Sequence, residues 1–440
     1  MPGLGLVTIL KNVIVTLGRQ LGVGILQLVT LAIIARLFGP SGNGAYTLTL
    51  LLPTLLATFL NLGMSPANVY FLGAKKVNAQ YAWNVTLKIS VWLVFLGWGI
   101  GAYLLSFHHQ TLFPDIPSTL LILSLGCFPL VLLTANISSF FQGLQQFKQF
   151  NIVLLLQPVL NLITISMLII LGIEDLLYIM MSYFGSLFIT QCVAYRLLKK
   201  LLSSTQYPKP PNYGKQLLNY GYKAHFSNIL AFVNYRADLF ILGYFLGPLP
   251  VGIYVIAVNI TEKLWLLSTA ISTVLLPKLS ELSDEEDKRK VLTPLISRWV
   301  LWLTLMASAL LALVGEWLIR FIFGTEFDAA YTAILYLLPG IVFGASSKVL
   351  ANDIAARGRP ELNLATSWIS VTINVLGNII LIPKMGLLGA ALATSISYSV
   401  NFVLRLVMHQ YFTQVPFYKN LFIGKADWFL LWSFFHNKSQ

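Results

Sequence analysis

The stretch ARLFGPSGNGAY, residues 35–46, joins two long apolar runs near the start of the chain. Within it, GPSGNGAY at residues 39–46 has the spacing Gly-Pro-x₃-Gly-x-Tyr. The same spacing recurs in GPLPVGIY at residues 247–254, again between two consecutive apolar runs. A motif repeated at the same position relative to its flanking runs predicts an internal duplication of the chain.

Outward from this motif, apolar runs fill the chain, in which 57% of the residues are hydrophobic and 10% are charged. A spanning helix needs roughly 20 apolar residues, and about twelve runs approach or exceed that length. Lipid leaves no partner for unpaired backbone groups, so the runs are helices, and the alternating segments of a membrane barrel are absent from the sequence. We therefore predict an all-α polytopic membrane protein. The runs cover residues 10–37, 43–65, 83–107, 117–142, 152–172, 175–197, 217–247, 249–276, 295–322, 330–350, 364–383 and 387–412.

A proline-rich segment, YPKPP at residues 207–211, separates the first six runs from the last six. Such composition favours an extended linker. We predict a six-helix lobe over residues 1–200, a cytoplasmic linker over residues 201–216 and a second six-helix lobe with a cytoplasmic tail over residues 217–440. Six helices per repeat preserve orientation, so the lobes should be related by a pseudo-two-fold axis along the membrane normal. A second echo pairs Asn161 with Asn374.

The basic residues that give the chain its net charge of +13 are unevenly distributed among the gaps between the apolar runs. Most Lys and Arg fall at the two ends and in the gaps after even-numbered runs, whereas the opposite gaps hold Arg36, Arg320 and Lys384. By the positive-inside rule both termini are cytoplasmic. This distribution argues against nucleic acid as a partner and for contact with anionic lipid headgroups.

No phosphate-binding glycine loop, metal-ligand cluster or nucleophile–base arrangement can be identified in the sequence. Cys127 and Cys192 both fall inside predicted helices and give no evidence of a disulfide. We expect a protein that is not an enzyme and has neither a cofactor nor a metal.

Ionisable side chains inside the runs are the candidate site residues, because each costs about 2.5–3.5 kcal/mol at the bilayer centre. The first run also carries a polar stripe at helical spacing. That stripe is either polar glue between helices or the wall of a water-filled cavity, and the fixed cation Arg19 favours the cavity. The stripe consists of Asn12, Thr16, Arg19, Gln20, Gly24, Gln27 and Thr30.

The later runs add Arg236 and Asp238, which point apart on the seventh helix, and the neighbours Glu262 and Lys263 on the eighth. Glu262 either forms a buried ion pair, with Arg236 or Arg19 as partner, or faces a cavity together with Asn259. Lys348 lies near the end of the tenth run, where long basic side chains snorkel to the headgroups.

Four segments resemble the polysaccharide flippases of the multidrug/oligosaccharidyl-lipid/polysaccharide exporter superfamily. The first is ARLFGPSGNGAY, because in these flippases the first helix ends in Arg-Leu-Leu-Gly-Pro before a glycine-containing turn. The others are NLGMSPA at residues 61–67, its counterpart LPKLS at residues 276–280, and GLLGAALAT at residues 386–394. The resemblance extends over residues 10 to about 412.

The resemblance implies a V-shaped pair of lobes that flips a polyprenyl-diphosphate-linked oligosaccharide by alternating access, as a monomer in the bacterial inner membrane. It also implies a cationic cavity for the diphosphate, with neutral side chains for the sugar hydroxyls. The expected substrate-binding residues are Arg19, Gln20, Gln27, Arg236, Asn259 and Lys263. Asp238 and Glu262 either pair with these cations or take part in coupling to H⁺ or Na⁺.

Three other functions remain open at this point. A drug exporter of the same superfamily would use an acidic site, which Asp238 and Glu262 could supply. A flippase for a lipid-linked peptidoglycan precursor would work by nearly the same mechanism. A membrane glycosyltransferase or polymerase would carry a large outer loop or an acidic catalytic motif, and the sequence has neither.

Overall fold

The computed structural model describes the backbone of residues 3–202, 207–281 and 285–424; within these ranges the side chains of residues 3–17, 19, 273, 274, 276–278, 280 and 281 are not described. The segment beyond residue 424, predicted to be a cytoplasmic tail, lies outside the described residues. The described part folds into thirteen α-helices: α1 Gly3–Leu60, α2 Met64–Gly73, α3 Ala79–Leu112, α4 Ser118–Gly143, α5 Phe147–Ile170, α6 Leu176–Leu202, α7 Tyr213–Leu246, α8 Pro248–Lys263, α9 Leu266–Glu281, α10 Glu286–Ile322, α11 Asp328–Ala356, α12 Pro360–Met385 and α13 Leu387–Thr413. Short 3₁₀ turns follow α10 and α13, at Thr325–Phe327 and Phe417–Asn420.

Helix α1 contains two membrane spans. Its apolar part, Gln20–Leu60, has 41 residues, which at 1.5 Å per residue extend about 60 Å, twice the hydrocarbon thickness. The backbone breaks at Gly39, where φ is 62° and ψ is −170°. Glycine occupies this positive-φ region without the strain that a Cβ atom would cause, so α1 crosses the membrane, turns and returns.

The eighth apolar run is also divided, because α8 and α9 form one span bent by 45°. Ten described helices are long and apolar enough to cross a membrane, or eleven with this bent pair. Counting α1 twice gives the twelve spans predicted from the sequence. The all-α polytopic fold is therefore confirmed. Pro53, Pro129, Pro158 and Pro339 each lie inside a helix that continues through the proline.

The two copies of the repeated motif contact each other. Gly247 has φ 74° and ψ −171°, nearly the conformation of Gly39. A Cβ atom added at Gly44 would lie 1.7 Å from the carbonyl oxygen of Pro248, and one added at Gly252 would lie 1.9 Å from that of Pro40. This reciprocal backbone contact between α1 and α8 is the arrangement that a pseudo-two-fold axis produces.

The second echo occupies equivalent positions inside the two halves. In the first half Asn161 of α5 accepts a hydrogen bond from Ser182 of α6, at 3.4 Å. In the second half Asn374 of α12 donates to Thr394 of α13, at 3.2 Å. We call α1–α6 the first lobe and α7–α13 the second lobe.

The connection between the lobes is shorter than predicted, because α6 continues to Leu202 and α7 begins at Tyr213. Its described part is held against α3: the backbone N–H of Asn78 donates to the carbonyl of Pro208 at 2.8 Å. We call the end of the bundle that carries this connection the linker end. The opposite end, which carries Gly39 and Gly247, is called the Gly39 end.

Candidate functional site

A bidentate ion pair lies in the second lobe, where α7 faces the end of α8. Nη1 and Nη2 of Arg236 donate to the two carboxylate oxygens of Glu262 at 3.0 and 3.3 Å. The side chains are 35% and 22% exposed. Glu262 thus pairs with Arg236, one of its two candidate partners, and its negative charge is largely engaged by the guanidinium.

Lys263 carries a cation to the boundary between the lobes. A Cβ atom added at Gly24 of α1 would lie 3.5 Å from Cε and 3.6 Å from Nζ of Lys263, so the lysine side chain packs directly on this glycine. In the described part of the chain, Lys263 makes neither an ion pair nor a hydrogen bond. Lys263 reaches the lobe boundary because it is the last residue of α8, where the span bends.

Lys348 of α11 is a second cation in this region, and sequence reasoning assigned it to the headgroup level. Its Nζ instead lies over the ring of Trp265, 4.0 Å from the centroid, and donates to Thr269 at 3.5 Å. The ring of Trp265 packs against those of Tyr235 and Tyr398. A cation–π contact inside the lobe replaces the expected route to the headgroups.

Glu262 interacts electrostatically with both lysines. Arg236, Lys263 and Lys348 together carry three positive charges near one carboxylate. The described part of this cluster is therefore net cationic.

Asp238 is turned away from this cluster, as the two-residue separation from Arg236 requires. It is 2% exposed and accepts hydrogen bonds from Tyr254, at 2.8 Å, and Thr394, at 3.3 Å. Through Thr394 it joins the amide of Asn374. Asp238 therefore belongs to a buried polar network inside the second lobe.

A cavity of about 670 Å³ opens within the first lobe. Neutral polar side chains supply its hydrogen-bonding groups, and none of the described residues that line it is charged at neutral pH. Sequence reasoning found only Gln27 of this set, although Thr134, Ser138 and Gln142 recur every four residues on one face of α4. The polar lining consists of Gln27, Ser65, Thr134, Ser138, Ser139, Gln142, Gln157, Tyr183 and Thr190.

A second cavity, of about 370 Å³, lies between the lobes and shares Ser65, Val131 and Ala135 with the first. Helix α7 contributes His225 and Asn228 to its wall. The two cavities are therefore adjacent and share a wall, and together they reach from the first lobe to the interface.

The α1 wall links the first cavity to Lys263. Val23 and Gln27 line the cavity, and Gly24, between them, contacts the lysine. Gln20 lies one turn before Gly24, and its Oε1 is buried without a hydrogen-bond partner in the described part of the chain. Arg19 lies on the same helix, but its side chain is outside the described residues. Asn259 donates to Val255 of its own helix at 2.9 Å.

The lobes touch at both ends of the molecule. At the Gly39 end the guanidinium of Arg36 donates to the carbonyls of Phe321 and Ile322. At the linker end a Cβ atom added at Gly221 would lie 2.6 Å from the carbonyl oxygen of Gly63, and the rings of Tyr70 and Tyr220 stack at 4.3 Å.

A twelve-span bundle of two duplicated lobes with a polar interior is the architecture of a membrane transporter. Residues 33–332 match the family described as polysaccharide biosynthesis protein, and the chain belongs to this family. The resemblance to the superfamily that includes polysaccharide flippases is thereby confirmed.

Individual relatives agree with this assignment. The chain is 26% identical to the probable low-salt glycan biosynthesis flippase Agl15 of Haloferax volcanii over 222 residues, covering 50% of this chain and 47% of that protein. The chain thus spans about half the length of this and other curated relatives that it matches. It is 23% identical to the putative O-antigen transporter of Shigella flexneri over 92% of this chain and 97% of the relative.

Among solved structures, the lipid II flippase MurJ in an inward closed conformation matches with a TM-score of 0.73. The match covers 96% of this chain and 98% of that chain, at 16% identity. At this identity the likeness establishes a shared fold.

Proposed function

We propose that this protein is a flippase that moves a polyprenyl-diphosphate-linked oligosaccharide from the inner to the outer leaflet by alternating access. One observation carries the proposal: Lys263 reaches the lobe boundary without a partner in the described part of the chain, while the neighbouring Glu262 is engaged by Arg236. A lysine ammonium is a common point-charge ligand of phosphate. Lys263 therefore binds the diphosphate, with Lys348 and Arg236 adding to the field.

The sugars occupy the neutral cavity of the first lobe. Sugar hydroxyls both donate and accept hydrogen bonds, as do the Gln, Ser and Thr side chains of the lining. Among these, Ser138 Oγ and Thr190 Oγ1 are buried without partners in the described part of the chain. Gln20, Gln27 and Asn259, named from the sequence, extend the neutral surface along the route to Lys263.

The linker end faces the cytoplasm in this proposal, since basic residues concentrate there. The protein acts as a monomer in the bacterial inner membrane, with its basic linker end against anionic lipid headgroups. The interlobe contacts at the Gly39 end and at the linker end break alternately during transport.

Asp238, in its buried polar network, is the residue for coupling to H⁺ or Na⁺, and Arg19 is a further ligand of the diphosphate.

A drug exporter fits the described cluster less well. Such a site needs an available carboxylate for cationic drugs, and Glu262 instead accepts two hydrogen bonds from Arg236. A flippase for a peptidoglycan precursor would use the same diphosphate chemistry. The match of residues 33–332 to a polysaccharide biosynthesis family favours the oligosaccharide.

The test follows flipping in vesicles that contain the purified protein and a fluorescent polyprenyl-diphosphate oligosaccharide, read out by a membrane-impermeant quencher. We expect Lys263→Ala to slow flipping about tenfold, because one charge-assisted hydrogen bond to phosphate is lost. Lys263→Arg should retain most activity. Arg19→Ala is measured in parallel.

Lys384→Ala is the matched control, since Lys384 is exposed at the Gly39 end and far from the cluster. A neutral glycolipid with the same sugars serves as a second substrate, for which Lys263→Ala should have little effect. Equal rates for the wild type and Lys263→Ala with the diphosphate substrate, at equal protein insertion, would refute the proposal.

A further inference from the structure

A small cavity of about 150 Å³ lies at the linker end of the second lobe, away from the lobe boundary. It is enclosed by the end of α11, the turn into α12 and the last turns of α13. Its polar lining consists of Asp353, Arg357, Arg359 and His409. None of these residues takes part in the transport site proposed above.

Two buried donors in this lining have no acceptor. The guanidinium of Arg357 uses Nε for Asp353, at 2.7 Å, and Nη1 for Glu286, at 2.8 Å, but its Nη2 is buried without a partner in the described part of the chain. Burial alone would lower the pKa of Arg357, but the hydrogen bonds that it donates to the carboxylates of Asp353 and Glu286 raise the pKa above its usual value. This guanidinium therefore stays charged and lacks one acceptor.

His409 provides the second donor. It is 1% exposed, and its Nδ1 accepts a hydrogen bond from Nδ2 of Asn420 at 3.4 Å. With Nδ1 as acceptor, the ring proton of the neutral imidazole resides on Nε2. Nε2 is buried without a hydrogen-bond partner among the described residues, and the nearest carboxylate oxygen, of Asp353, is 3.8 Å away.

The charges around the cavity favour an anion. Two arginines and one carboxylate line it, and that carboxylate is already engaged by Arg357 and by Thr293, at 3.1 Å. Arg359 is exposed at the rim, with its guanidinium 5.0 Å from the ring centroid of Phe412. Buried donors left without acceptors are costly, and an oxyanion would satisfy both at once.

We propose that this cavity binds a phosphate group, either the headgroup phosphate of an anionic phospholipid or free phosphate. Nη2 of Arg357 and Nε2–H of His409 donate to its oxygens, and Arg359 closes the site from the rim. Occupancy would join the turn between α11 and α12 to the end of α13.

The experiment measures the thermal unfolding midpoint of the full-length protein in neutral detergent, titrated with a short-chain phosphatidylglycerol, a short-chain phosphatidylcholine or inorganic phosphate. We expect phosphatidylglycerol, inorganic phosphate or both to raise the unfolding midpoint of the wild type. Arg359→Gln should weaken its apparent affinity about tenfold through the loss of a charge-assisted contact. Arg196→Gln, an exposed arginine on α6 that removes the same charge, should leave the affinity unchanged.

His409→Gln, which keeps a donor and an acceptor in the cavity, is the second variant and should weaken the affinity less than Arg359→Gln. An effect of phosphatidylglycerol alone identifies a lipid headgroup as the source, and an effect of inorganic phosphate alone identifies the free ion. No stabilisation by either ligand, or equal losses in Arg359→Gln and Arg196→Gln, would overturn the proposal.

Discussion

The pair of Arg236 and Glu262 decides which charges in the cluster are available. Replacing the carboxylate by an amide would remove the negative charge and one of the two acceptor oxygens that the half-buried guanidinium uses, at a cost of about 1–3 kcal/mol. We therefore expect Glu262→Gln to lower the free energy of unfolding by that amount, measured in detergent by chemical denaturation.

Glu316→Gln is the control for Glu262→Gln, because Glu316 pairs with Arg320 in the exposed part of α10, at 2.9 Å. Exposed pairs contribute about 0–1 kcal/mol. Equal destabilisation by the two substitutions would contradict the special role of the pair between α7 and α8.

The limits of sequence reasoning are clear for individual side chains. Periodicity places Arg236 and Asp238 on different faces of α7 and Gln27 on the polar face of α1, as observed. It cannot say which helix meets each face, so it predicted neither the contact of Arg36 with α10 nor the interior positions of Lys348 and the polar face of α4. The contact between Lys348 and Trp265 could not be predicted from local patterns, because Trp265 lies 83 residues earlier, on the bend between α8 and α9.

At the scale of helices, the close crossing of α1 and α8 depends on two glycines. The carbonyls of Pro248 and Pro40 occupy the space that a Cβ atom at Gly44 or Gly252 would need. We expect Gly44→Ala and Gly252→Ala each to lower the unfolding midpoint strongly, because backbone cannot yield as a flexible side chain can.

Gly185→Ala in α6 is the matched control, since nothing lies within 4 Å of a Cβ atom there and alanine is the better helix former by about 1 kcal/mol. The double variant of Gly44 and Gly252 should be less than additive, because both substitutions disrupt one contact. Full additivity would indicate two independent contacts.

This crossing was only half predictable. The duplication could be predicted, because both copies of the motif keep the same spacing of glycine and proline. Contact between the two copies depends on packing across the pseudo-two-fold axis, and local sequence patterns carry no information about that packing. The break at Gly39 and the bend after α8 likewise depend on what the neighbouring helices allow.

At the scale of the whole molecule, the contact between Gly63 and Gly221 joins the two lobes at the linker end. A large side chain at Gly221 would push α7 away from the turn before α2. We expect Gly221→Leu to favour conformations open at the linker end, and so to expose Ser65, which lines both cavities.

The measurement uses Ser65→Cys in a background in which Cys127 and Cys192 are replaced by Ser. Gly221→Leu should raise the rate at which a membrane-impermeant maleimide, added from the linker side, labels Cys at this position. Gly214→Leu is the control, because its nearest neighbours are side chains at 3.5 Å or more. Unchanged labelling would show that this contact does not control access.

The second copy of the motif lies 208 residues after the first, from residue 39 to residue 247. By this offset Arg236, Asp238, Glu262 and Lys263 correspond to Leu28, Thr30, Thr54 and Leu55, none of which is charged. A transporter assembled from two identical halves would present two such clusters or none. Among the described side chains, divergence after duplication left one such cluster, and the proposed function therefore predicts that one anionic substrate is bound in each transport cycle.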